Sequence, residues 1–255
     1  MPALAAFFLL TALLYASVGF GGGSTYNALL VLAGTDYRAV PVIALACNIL
    51  VVAIGSWRFA SAGHVDLRRI WPLFAFSIPF AWLGGRLVVA ETVFVGLLAV
   101  SLLAAGLLML WQPNGQPDGP PRTSARWVEP VAGGALGFLA GVVGIGGGIF
   151  LAPLLYMLRW GTPRAIAGTS AVFILVNSIA GLAGQLAKGP GSTGAILADH
   201  WPLFPAVLAG GAIGSTLGSS RLDPKYVRIL TALLILYVAV RLAIRFYGSW
   251  IGADR

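Results

Sequence analysis

Charge is what this sequence has least of. Only 9% of its 255 residues are Asp, Glu, Lys or Arg, against 58% hydrophobic, whereas a soluble domain carries about 25% charged residues. Surface-to-volume scaling pushes polar groups outward in a soluble fold, so water cannot be the solvent for most of this chain. Lipid is. Cysteine is almost absent too: Cys47 stands alone. An intrachain disulfide and a cysteine-based metal site are therefore excluded, and clustered His, Cys or carboxylate ligands for any metal are missing. Acidic residues are few, and those flanking the apolar runs (Asp36, Asp66, Glu91, Glu129, Asp199 and Asp223) lie near their ends. No proton relay is apparent from them. His64 and His200 read as interfacial anchors.

What is plentiful is small or aromatic. The 34 glycines and 8 tryptophans suit close helix packing and interfacial anchoring rings. The formal net charge is +8. Its basic residues sit mostly between apolar runs, as in Arg68–Arg69, Arg122 with Arg126, and Arg221–Lys225–Arg228. That placement sets membrane orientation and argues against a nucleic-acid partner. The apolar start, residues 3–18, resembles a signal segment, but no Lys or Arg precedes it and its closing motif recurs mid-chain. Retention is the expectation.

A helix needs about 20 apolar residues to cross the hydrocarbon core. Apolar runs occupy 3–18, 24–33, 39–62, 70–90, 93–111, 128–143, 149–158, 164–187, 201–220 and 226–247. The runs 24–33 and 149–158 are too short to span alone. The hydrophilic stretch 112–126 is rich in Pro and Gly, which is linker chemistry.

That stretch separates two similar halves. Val18-Gly-Phe-Gly-Gly-Gly23 matches Val143-Gly-Ile-Gly-Gly-Gly148. Arg38-Ala-Val40 matches Arg164-Ala-Ile166, and Trp71-Pro-Leu-Phe74 matches Trp201-Pro-Leu-Phe204. Matches in the same order indicate an internal duplication, a common transporter plan. The distribution of basic residues favours inverted repeats. The sequence thus predicts an all-α polytopic membrane protein with two homologous repeats, about eight to ten membrane segments and Gly-rich broken helices or re-entrant hairpins. Its units are a first membrane repeat (1–111), a hydrophilic linker (112–127) and a second membrane repeat (128–255).

The glycine clusters carry the functional reading. Each interior Gly costs a helix up to about 1 kcal/mol relative to Ala. Unwound backbone at membrane depth is tolerated only within protein or around a watery cavity. Gly21, Gly22 and Gly23, with Gly146, Gly147 and Gly148, therefore predict interrupted helices whose free amides and following helix N-termini suit an anion. Tight helix crossing is the competing explanation. Neither cluster is a nucleotide loop: the dinucleotide fingerprint lacks its last glycine, and Gly-Lys-Ser/Thr is absent. Ser24, Thr25 and Asn27 follow the first cluster. Asn48, and Thr169, Ser170 and Asn177, lie in the long third segment of each half, where a buried amide or hydroxyl needs a partner. A membrane hydrolase is disfavoured, because Ser170 and Ser178 lie in no Gly-x-Ser-x-Gly elbow.

The paired Gly-rich break, the stretch Gly161-Thr-Pro-Arg-Ala-Ile-Ala-Gly-Thr-Ser170 and the two-half layout resemble the TauE/SafE sulfite exporter family, also called the toluene sulfonate uptake permease family. The resemblance runs from about Leu4 to Phe246. It implies an inner-membrane permease for sulfite, sulfonates, sulfoacetate or related organosulfur anions, working in either direction. At the Gly-Thr-Ser element the halves differ: Val42-Ile43-Ala44 stands where Gly168-Thr169-Ser170 does.

The expected function is alternating-access movement of such an anion in the lipid bilayer, with no enzymatic activity and no cofactor. A passive channel or carrier for another small anion or metabolite is the alternative, as is a non-transporting membrane scaffold. The coupling ion (H+ or Na+) and a homo-oligomeric state stay open at this level.

Overall fold

The computed structural model describes residues 1–17, 19–111, 127–188, 193–218 and 224–252. Among them are helices and no strands. In chain order the helices are α1 (Pro2–Ser17), α2 (Gly23–Leu32), α3 (Val40–Ser61), α4 (Leu67–Arg86), α5 (Glu91–Trp111) and α6 (Val128–Val143), then α7 (Gly148–Met157), α8 (Pro163–Leu186), α9 (Thr193–Asp199), α10 (Leu203–Gly218) and α11 (Pro224–Gly252). All but α9 overlie the apolar runs. The hydrophilic stretch 112–126 lies outside the described residues.

Local chemistry sets several boundaries. Asp66 caps α4, its carboxylate accepting the amides of Arg68 and Arg69. Thr162 caps α8, its hydroxyl accepting the Ala165 amide at 3.2 Å, and Pro163 opens the first turn. A side-chain cap supplies one of the acceptors that the first helical amides lack. Replacing Thr162 with Ala is expected to lower stability by about 1 kcal/mol, read as a lower melting temperature in detergent. An unchanged value would show that the cap is idle.

Glycine backbones hold the bundle together. Gly133, Gly137 and Gly141 lie one turn apart on α6. A Cβ on any of them would run into the carbonyl oxygens of Leu73, Ser77 and Ala81 on α4, respectively. The partner numbers rise together, so α4 and α6 run parallel. Gly210 and Gly214 on α10 meet the carbonyls of Leu9 and Leu13 on α1 in the same manner. Small residues let the backbones touch, as membrane helix pairs require in the absence of a hydrophobic drive between them. The central pair is different. Gly168 of α8 lies beside Phe59, and Gly181 lies beside Leu45. Here one number rises as the other falls, so α3 and α8 are antiparallel.

The outside of the bundle is apolar. Val93, Leu97, Val100, Leu103, Leu107 and Leu110 form an exposed stripe along α5, at helical spacing. Exposed Trp57, Trp71, Trp111, Trp127 and Trp201 stand near helix ends, the position of an interfacial aromatic belt. Three helices, α3, α5 and α8, are long and apolar enough to cross a membrane by length and composition. Shorter apolar helices surround them, including α1, α6 and α7.

Candidate functional site

Both glycine clusters interrupt helices. The chain leaves helical geometry between α1 and α2, and again between α6 and α7. Gly22 precedes α2 with φ of 86°, and Gly147 precedes α7 with φ of 76°. This left-handed region favours glycine over any residue with a Cβ. Among the described residues, the amides of Gly21, Gly22, Gly146 and Gly147 donate to no other backbone carbonyl.

Asn48 lies between the two breaks. It is fully buried, and neither its Nδ2 nor its Oδ1 has a hydrogen-bond partner. A Cβ on Gly21 would overlap its Oδ1, and one on Gly23 would overlap its Nδ2. A Cβ on Gly146 would lie 2.9 Å from the same Nδ2 and 3.0 Å from Ser178 Oγ, which is itself buried and unpartnered. Antiparallel α3 and α8 thus bring one amide and one hydroxyl, from opposite halves, to the same pair of breaks. The glycine clusters alone predict bare backbone here. The structure fills the space beside Gly21 and Gly23 with Asn48, so a guest meets that amide along with the main chain.

The other predicted residues divide into groups. Ser24 and Thr25 turn toward α1, where Tyr15 Oη lies 3.3 Å and 2.7 Å from their hydroxyls. A Cβ on Gly22 would lie 3.0 Å from the Tyr26 ring, which stacks on Phe8 at 4.6 Å. Gly147 is close to the Phe173 ring, at 2.9 Å from a notional Cβ. Gly148 packs on Ile174 and near the Ser170 carbonyl. The hydroxyls of Thr169 and Ser170 are buried without partners. Asn177 spends its Nδ2 on the Phe173 carbonyl at 2.8 Å, leaving Oδ1 unpartnered.

Ser178 and Asn27, named in the sequence but not assigned there to the site, join the buried polar groups. Ser178 was legible only as a serine without a nucleophile elbow. Asn27, one turn past Gly23, is fully buried with both amide atoms unpartnered. Each unmet buried group costs about 1–3 kcal/mol. Such groups gathered around two helix breaks call for a ligand or water to complete their bonds.

A family model described as sulfite exporter TauE/SafE matches residues 4–242. The chain belongs to that family. The TauE/SafE chain is 34% identical over 242 residues to a probable membrane transporter protein of Sinorhizobium fredii, covering 94% of this chain and 96% of the relative. It is 27% identical over 237 residues to a probable membrane transporter protein of Methanocaldococcus jannaschii, covering 85% of each. No solved structure matches it significantly. The TauE/SafE protein is accordingly a membrane transporter. Among the side chains whose burial the structure describes, no Lys, Arg, His, Asp or Glu is buried. Lys188, just past α8, donates to Gln185 at 2.7 Å, and partial burial pulls its pKa down from the ordinary lysine value.

Proposed function

We propose that this transporter moves a small sulfur-containing anion, such as sulfite or a sulfonate, across the inner membrane as a multi-pass carrier. Two inverted repeats, 1–111 and 128–255, alternate access to a site at the glycine breaks. Gly21–Thr25 and Gly146–Gly148 supply main-chain donors, and Asn48, Ser178, Thr169, Ser170 and Asn177 supply side chains. The observation that carries this reading is the fully buried Asn48 amide, without a partner, set against glycines of both breaks.

The geometry supports inverted repeats in two ways. Aligning Arg38-Ala-Val40 with Arg164-Ala-Ile166 pairs Asn48 with Ile174 and Val52 with Ser178. Gly21 adjoins Asn48 and Val52, and its counterpart Gly146 adjoins Ile174 and Ser178. In addition, α3 and α8 are antiparallel. An axis exchanging antiparallel neighbours lies across them, hence in the plane of the membrane, as in inverted-repeat transporters.

Uptake into proteoliposomes tests the proposal. Labelled sulfite and methanesulfonate are expected to enter with saturable kinetics and to show counterflow. Failure of both anions to enter vesicles that hold helical, monodisperse protein would overturn it. Non-saturable flux without counterflow would replace the carrier with a channel.

A further inference from the structure

The breaks and the central α3–α8 pair contribute amides and hydroxyls but no full charge. We infer that the site selects singly charged oxyanions and rejects doubly charged ones, a deepening that rests on the anion-carrier reading above. The donors facing the breaks are neutral: the Asn48 amide, the Ser178 hydroxyl and the free main-chain amides. The titratable side chains packed around α2 are the phenols of Tyr15 and Tyr26 and the thiol of Cys47, all buried and uncharged in their ordinary neutral-pH state. The described cations on and just past α3 and α8 stand toward the ends of those two helices. Arg58 is exposed ten residues beyond Asn48 on α3, about 15 Å along the axis at helical rise. Lys188 stands as far beyond Ser178 past the end of α8.

The selection follows from how two energies scale. Attraction of an ion to fixed neutral dipoles grows in proportion to its charge. The cost of stripping its water grows as the square of that charge. Going from one charge to two therefore doubles the gain and raises the cost about fourfold. A buried Arg or Lys would offset the second charge, as cationic clamps do for phosphate and carboxylate groups. None is present among the side chains whose burial the structure describes. Hydrogen sulfite and alkanesulfonates fit such a site. The sulfite dianion, sulfate and sulfoacetate, with two charges each, do not.

Wild-type protein in liposomes provides the test. Methanesulfonate is expected to enter at least about ten times faster than sulfate at equal concentration, a difference of 1.4 kcal/mol in transition-state terms. Sulfite uptake per total sulfite is expected to fall as pH rises through the second ionisation of sulfurous acid, while methanesulfonate uptake stays level. Sulfate uptake equal to that of methanesulfonate, or sulfite uptake that rises with pH, would overturn the charge selection and leave the carrier standing. Entry of no anion would overturn both.

Discussion

Asn48→Leu is expected to transport about ten- to a hundred-fold less well than the parent while folding at least as stably. A hydrogen bond to a charged group contributes about 1.5–3 kcal/mol, and each 1.4 kcal/mol is about tenfold in affinity. Leu has nearly the shape of Asn, so the fit against Gly21 and Gly23 survives. The parent amide has no partner in the structure, so its removal relieves an unmet buried polar group of about 1–3 kcal/mol. A residue kept for folding would show the reverse, losing stability on substitution. The measurement is paired: initial uptake rate in proteoliposomes and melting temperature in detergent. A slower and less stable Asn48→Leu would make Asn48 a packing residue. Full-rate transport would remove it from the site.

The second large effect is structural. Gly137→Leu should prevent assembly of the bundle, with a loss of about 3 kcal/mol or more, at the upper end for overpacked sites. A Cβ at Gly137 would meet the Ser77 carbonyl, with the Ser77 Cα at 2.7 Å. Backbone cannot rotate away as a side chain can, so α4 and α6 would have to separate. Gly55→Ala is the internal control. Nothing lies within 4 Å of a Cβ there, and the position is mid-helix in α3. It should stabilise by up to about 1 kcal/mol through helix propensity. Size-exclusion profiles and melting curves report both. A monodisperse Gly137→Leu with parental stability would show that the α4–α6 contact is slack.

Composition and spacing made the helical class and the two breaks readable before any coordinates. Glycine strings leave a signal that depends only on local backbone cost, so Gly21–Gly23 and Gly146–Gly148 pointed to interrupted helices directly. The partners of those breaks were less legible. Ser178 joins Gly146 through the packing of α8 against the second break, whereas helical spacing singled out its neighbour Asn177. Ser24 and Thr25 looked like free ligands, yet Tyr15, on the preceding helix, engages both hydroxyls. Hydroxyl pairing across helices depends on rotation about the helix axis, which polar spacing in a ten-residue helix hardly constrains. Helix α9 escaped notice because Thr193–Asp199 lies outside every apolar run.

The parallel clasps have a bearing on how the molecule is made. Each one joins a helix from the early part of the chain to one from the late part: α4 to α6, and α1 to α10. Until α6 leaves the ribosome, α4 carries a surface with nothing to grip it, and α1 waits longer still for α10. The opening half of the polypeptide therefore completes these two contacts only once α6 and then α10 have been inserted. A truncated product would be an unfinished bundle, not a smaller transporter.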